Sequence, residues 1–236
     1  MNTRGFGLVE LSISLLLSTM IMMLLVQQVI HIRRQYQQVE TFIGESMGLA
    51  WVSDLIRHSI RSAGFTPCLR LDHLTTAAHQ NFSPIEVSNS PHASITIRRM
   101  NERVARVLEQ RSTSVLRVEP IPFQLNRTVL IADCKHAEVH ELEKIKATSS
   151  GMILTLKAPL RFAYEAPVYV GEWVVETFFI KKSALYYKNA RVDALARCIH
   201  DFDVKLSENQ DKKLIQLRLT LDGGRVGVLD TMVRAS

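Results

Sequence analysis

Charge is absent from Leu11 to Ile30, and proline is absent from Gln35 to Ser62. The first absence leaves a run of about 20 residues, which at 1.5 Å each matches a hydrocarbon core of roughly 30 Å. The run is too long for the apolar region of a secretory signal, and no Ala-x-Ala-like site follows it, so ordinary signal processing is excluded. The second absence lets a helix continue beyond the span. No Asp-rich loop has the spacing of an EF-hand calcium site. Gly223-Gly224 lacks the following helix that a phosphate cradle needs, and reads as a turn. Glu165 and Glu172 flank an aromatic-rich run, but nothing sets a general acid against a base. No enzyme activity and no cofactor are therefore expected. No internal repeat or long low-complexity linker is present.

What is present is enough for one medium domain plus an anchor: 236 residues, 47% of them hydrophobic. The formal charge is +6, and the charges are interspersed. The densest basic stretch is Arg98-Arg99, Arg103, Arg106 and Arg111. Ile95, Ile97, Val104 and Val107 partly alternate with these charges, as in an exposed strand. Interleaved aromatics are missing, so a solvated strand face is favoured over a nucleic-acid surface. His136 and His140 stand four apart, a spacing that serves two metal ligands on one helical face, with Glu138, Glu141 and Glu143 nearby. No third ligand is specified and the segment follows a strand candidate, so these read as surface histidines in a polar loop and no metal site is expected. Trp51, on a helix, and Trp173, at the start of a strand, read as core.

The helix is expected to run from Phe6 to Ala63, roughly 85 Å at 1.5 Å per residue. Beyond the span, Val39, Phe42, Ile43, Leu49, Val52, Ile56 and Ile60 recur mostly at three- and four-residue steps, opposite Glu40, Glu45, Asp54, Arg57 and Arg61. Gly44 and Gly48 weaken that half by up to about 1 kcal/mol each. Gly64 stops it, with Pro67 beyond. Leu69 to Phe82 is loop-like. Strand candidates follow at Ser94–Met100, Arg103–Leu108, Ser114–Val118, Thr128–Ala132, Met152–Leu156, Val168–Val170, Glu172–Ile180, Ala184–Lys188, Asp201–Leu206, Leu214–Leu221 and Arg225–Val233. Lys181-Lys182-Ser183 and Asp222-Gly223-Gly224 read as hairpin turns. Ala190–Arg197 reads as a short helix. The fold class is α+β: a long N-terminal helix packed on a mainly antiparallel β-sheet domain.

Three cysteines give one pair plus an odd thiol as the simplest arithmetic. Cys68–Cys134 is the favoured pair, worth on the order of 2–4 kcal/mol by closing a long loop, and Cys198 is the leftover thiol.

The N-terminus carries the most specific pattern. A short leader with Arg4 precedes Gly5-Phe6, a lone Glu10, Leu11 and then the uncharged run. A carboxylate at the mouth of an apolar span costs several kcal/mol unless something neutralises it. Gly-Phe-x-x-x-Glu-Leu before such a run resembles the class III signal of type IV prepilins. The resemblance implies cleavage between Gly5 and Phe6 by a membrane prepilin peptidase, methylation of the new Phe6 amine, and pairing of Glu10 with the N-terminus of a neighbouring subunit. A plain membrane anchor would explain the span and Arg4, but neither Glu10 nor Gly5-Phe6. Arg4 favours a cytoplasmic N-terminus; Arg33 and Arg34 at the far end weaken that asymmetry, and the resemblance decides the orientation. Major pilins often carry a helix-bending proline in the membrane half, where this chain has Gln27-Gln28 instead.

Ile60-Arg61-Ser62-Ala63-Gly64-Phe65 ending at Cys68, Leu130-Ile131-Ala132-Asp133-Cys134, and Ser-Ile-Thr-Ile-Arg-Arg at Ser94–Arg99 are similar to segments of PilW-type minor pilins. In that family the paired cysteines are expected to bridge. The expected organisation is a leader at 1–5, a transmembrane and filament-core helix at 6–34, an amphipathic periplasmic helix at 35–64 and a globular β-rich domain at 65–236. The implied role is a low-abundance subunit that joins other minor pilins and the major pilin in a tip or priming complex. It would start assembly on the inner-membrane platform. Its C-terminal domain would lie in the periplasm, and in the pilus after assembly. The alternatives are a J-like minor pseudopilin of type II secretion, and a tip-displayed adhesin or DNA-uptake receptor.

Overall fold

A computed structural model describes residues 7–77, 82–89, 93–148, 150–197, 199–209, 212–221 and 226–233, without the side chains of 36–47, 49, 200, 208–209, 212–213 and 221. Gly5, Phe6, Cys198 and the Asp222-Gly223-Gly224 turn lie outside the described residues.

One helix, α1, runs over Leu8–Arg61. Its apolar half leaves no side-chain hydroxyl open. Ser12, Ser14, Ser18 and Thr19 donate to carbonyls three or four residues back at 2.8–2.9 Å, the local bond open to a hydroxyl on a helix. The chain divides into two units, Met1–Trp51 and Val52–Ser236. In the first, every side chain from Leu8 to Gln35 is exposed, and this stretch is long and apolar enough to cross a membrane.

The second unit opens with the last turns of α1. Val52, Ile56 and Ile60 are fully buried; steps of four residues put them on one helix face. The helix ends where Gly64 turns left-handed at φ +70°, a conformation in which a Cβ is costly. The Gly64 N–H donates to the Arg98 carbonyl at 2.8 Å, and the Leu71 N–H donates to the Gly64 carbonyl at 2.9 Å. The helix end is thus tied to the sheet by backbone.

Among the described residues, a 3-10 turn (Leu71–His73) precedes thirteen strands: β1 Thr75–Thr76, β2 Ile85–Ser88, β3 Ser94–Ser112, β4 Val115–Val118, β5 Thr128–Ala132, β6 His136–Thr148, β7 Gly151–Leu156, β8 Tyr169–Lys181, β9 Ala184–Lys188, β10 Val192–Arg197, β11 Ile199–Asn209, β12 Lys212–Leu221 and β13 Val226–Met232. All pairings are antiparallel except β1 with β6. One long apolar helix and a large antiparallel sheet make the class α+β.

The large sheet does not stay open along its whole length. β3 pairs β8, β8 pairs β5, β5 pairs β6, β6 pairs β7, β7 pairs β4 and β4 pairs β3. These six pairings form a closed ring. Two long strands make the closure: β3 and β6 each pair one neighbour with their first part and another with their second. Both change register on the way, between Met100 and Val104 on β3 and between Leu142 and Lys144 on β6, the irregularities that bend a strand. At its other end, β3 and β8 continue into an open sheet, β2-β3-β8-β9-β10. A separate sheet has the order β11-β12-β13.

Inside the ring, Ala105, Leu116, Val118, Val129, Ile131, Leu142, Leu154, Leu156 and Val170 form a core, joined by Leu160. Leu130, Ala132 and Ala137 belong instead to a second cluster with Leu71, Leu74, Phe82 and Met100. β5 therefore buries both faces, which is why Val129 to Ala132 is an unbroken apolar run.

Several expectations are corrected. Ala190–Arg197 is not helical: Val192–Arg197 is β10, because Ala194 and Tyr186 can share a ladder on the β8–β9 hairpin. Trp51 is not core but 59% exposed. Ser94–Met100 and Arg103–Leu108 are one strand extended to Ser112, and Ile95 and Ile97 on it are fully buried rather than part of an exposed face. His136 and His140 lie on β6, not in a loop. Val168–Val170 merges into β8. The Lys181–Ser183 turn does close the β8–β9 hairpin, with Lys182 and Ser183 at φ 50° and 54°, as a two-residue primed turn requires.

Candidate functional site

At the N-terminus, Glu10 sits in the first turn of α1. Its Oε2 accepts from the Gly7 N–H at 3.3 Å, satisfying one of the amides that a helix start leaves open. A carboxylate there also meets the positive end of the helix dipole. Arg33 and Arg34 lie at the far end of the exposed apolar stretch.

In the second unit the polar chemistry gathers beside a disulfide. Cys68 and Cys134 are bonded, with Cα atoms 5.2 Å apart. The bond ties the segment after α1 to the turn between β5 and β6. Asp133, 1% exposed, organises that turn. Its Oδ1 accepts from the N–H groups of Lys135 at 2.7 Å and His136 at 2.6 Å, and its Oδ2 accepts from Glu165 N–H at 3.0 Å. Burial pushes its carboxyl up, but the amides of His136, Glu165 and Lys135 outweigh that and hold it below its ordinary value.

A second buried carboxylate lies two pairs along. Glu138 stands opposite Ile131, and His140 opposite Val129. Both side chains therefore point to the face that lines the ring core. Glu138, also 1% exposed, accepts from Arg161 N–H at 3.0 Å, Phe162 N–H at 2.9 Å and the Tyr164 hydroxyl at 3.2 Å, all at Oε1. Its Oε2 is 3.0 Å from His140 Nε2. Burial first, then the Glu138 charge, drives the Tyr164 phenol far above its ordinary range, so it stays a donor. Phe162 stacks on His136 with ring centroids 4.6 Å apart. Outside, Lys135 Nζ meets Glu165 at 2.7 Å. The loop 160–165 is thus pinned across one end of the ring by two carboxylates, with Leu160 and Tyr164 packed on the core.

Comparison of the chain with protein-family profiles, curated proteins and solved structures gives no match. Chemistry must therefore be read from the residues.

Asp133 and Glu138 spend their oxygens on backbone N–H groups, the Tyr164 phenol and the His140 ring, which makes them structural anchors. Among the described residues, no group of three His, Cys, Asp or Glu is placed to hold a metal ion. Glu172 pairs with Arg127 at 3.2 Å and Glu165 with Lys135, so the two carboxylates have separate partners. Three of the five arginines in the basic stretch are ion-paired: Arg98 meets Glu86 at 2.7 Å, Arg99 meets Glu176 at 3.2 Å and Arg111 meets Glu109 at 3.4 Å, while Arg103 and Arg106 are exposed. Trp173 packs 5.8 Å from Phe82 at the edge of the second cluster.

Sequence reasoning missed the roles of Asp133, Glu138 and Tyr164. The available signal was the period of two in His136, Glu138 and His140, which on a strand brings all three to one face.

Proposed function

We propose that this chain is a minor type IV pilin that joins a tip or priming complex and initiates pilus assembly. The observation that carries the reading is the N-terminal pattern: Gly5-Phe6, then Glu10 in the first turn of a helix that carries no charge from Leu11 to Ile30 and leaves the mainly apolar side chains of that run exposed. The motif supplies a processing site, and the helix supplies a surface that only lipid or other such helices can cover. In this reading a prepilin peptidase cuts after Gly5, Phe6 is methylated, and Glu10 exchanges the Gly7 amide for the amine of a neighbouring subunit. Phe6 becomes the first mature residue and Glu10 the fifth. The protein then spans the inner membrane once, with the β-rich unit in the periplasm until assembly carries it into the pilus. Its partners are the peptidase, other minor pilins, the major pilin and the assembly platform.

The disulfide supports an oxidising compartment for the β-rich unit. The ion pairs of Arg98, Arg99 and Arg111 reduce the free positive charge on β3 and weigh against a DNA-uptake surface there, since phosphate contacts need clustered free cations. Deleting the chain in its host, with surface pili and type II secreted enzymes measured side by side, tests the reading. Loss of pili with intact secretion is expected. Loss of secretion with intact pili would move the protein to the J-like pseudopilins.

A further inference from the structure

The sheet β11-β12-β13 ends in a strand that is built differently from the other edges of the fold. β2 is four residues long. β10 changes register between Ala194 and Ala196 and carries Asp193 and Arg197. β11 changes register between Ile199 and Asp201 and carries Asp201, Asp203 and Lys205. Shortness, bulges and charge are the devices that keep an edge from pairing. β13 has little of this. It pairs β12 in unbroken register from Val226↔Thr220 to Met232↔Leu214, and its sequence has no proline or lysine. Among the described residues, no strand pairs its other side.

Its two faces are also distinct. Leu229, Thr231 and Val233 are buried, whereas Val226, Val228 and Met232 are 52%, 54% and 58% exposed. Asp230, exposed between Val228 and Met232, stands opposite the neutral Gln216. Arg218, the neighbouring cation on that face, stands between Val228 on β13 and Asp203 on β11, diagonal to Asp230. The outer row of β13 is thus three apolar side chains and one anion with a neutral cross-strand neighbour.

We infer that β13 is a docking edge that receives an extended segment of a partner protein as an added strand. The segment carries apolar side chains at alternate positions and a lysine or arginine opposite Asp230. Backbone hydrogen bonds would supply affinity; the alternate side chains and the charge would set register. The inference stands whether or not the apolar helix belongs to a filament.

The test uses the full chain in lipid nanodiscs and a fluorescein-labelled peptide, Val-Thr-Lys-Thr-Val-Thr-Val, which in antiparallel register sets its lysine opposite Asp230. Binding is read by anisotropy, and protection by amide hydrogen exchange over 226–232. Saturable binding with protection confined to β13 is expected. A glutamate in place of the lysine should weaken it about three- to tenfold, the range of a cross-strand charge pair turned repulsive. Val228→Lys, at an exposed site, should abolish binding. Asp230→Lys should reverse the preference between the two peptides, which a misfolded variant cannot do. No binding, binding unaffected by Val228→Lys, or an unreversed preference overturns the inference. So does concentration-dependent self-association that Val228→Lys removes, since the occupant would then be a second copy.

Discussion

Glu138→Ala removes one carboxylate, leaves the N–H groups of Arg161 and Phe162 and the His140 ring nitrogen without that partner, and leaves the Tyr164 hydroxyl with only the Ile131 carbonyl at 3.4 Å. Each orphaned buried donor costs about 1–3 kcal/mol. Relaxation of the 160–165 loop and entry of water recover part of that sum. The net loss is therefore about 3–5 kcal/mol, the range seen when one partner of a buried pair is removed. Against a total stability of roughly 5–15 kcal/mol this is a large fraction. At about 2–4 °C per kcal/mol for a unit of this size, Tm falls by roughly 6–20 °C. Glu138→Gln keeps an acceptor for the Oε1 donors but sets an amide against Arg161 N–H, which reaches Oε2 at 3.2 Å; it should cost about 1–2 kcal/mol. Thermal and urea unfolding of the full chain in detergent measure the order Ala worse than Gln. Hydrogen exchange should speed at the Arg161 and Phe162 amides before it speeds in β5. A Glu138→Ala protein within about 1 kcal/mol of wild type would refute the clamp.

Asp133 binds its proton more weakly folded than unfolded, so its stabilisation is present above its ordinary value of 3.8 and is lost as pH falls through the lower folded value. Asp133→Asn should lower stability at neutral pH and flatten the acid limb of a Tm-versus-pH curve; an unchanged acid limb would remove Asp133 from that account. Cys68→Ala and Cys134→Ala should destabilise about equally, by about 2–4 kcal/mol, since each opens the same 66-residue separation; unequal midpoints in urea would count against the bond as the common cause. Gly64→Ala should cost about 1–3 kcal/mol, because φ is +70° and the new Cβ would sit 3.0 Å from Pro84 Cβ and Cγ; calorimetry showing no loss would refute the strain. If the chain is the minor pilin proposed above, Gly5→Leu should leave it unprocessed, whereas Glu10→Ala should be cleaved normally but fail to support piliation. N-terminal sequencing and pilus counts check both, and a piliated Glu10→Ala strain would sink the pairing.

The apolar stretch, the stop at Gly64 and the β8–β9 turn were legible because each depends on neighbours in the chain. An uncharged run needs only its own length, a left-handed residue needs only the lack of a Cβ, and a two-residue turn needs only local backbone. β10 was misread because Ala190–Arg197 has no strong period of its own; it became a strand by hydrogen-bonding to β9, which only folding brings alongside. Trp51 was misread because an aromatic on a helix says nothing about what covers it.

The sequence by itself therefore determined the apolar stretch long enough to cross a membrane, the class of the second unit and the pattern at Gly5, Phe6 and Glu10. Tertiary structure alone decided the ring, since closure depends on where β3 and β6 change register. It also decided that Glu138 and Asp133 face inward, because a carboxylate can be buried only when distant donors such as Arg161, Phe162 and Glu165 arrive to meet it.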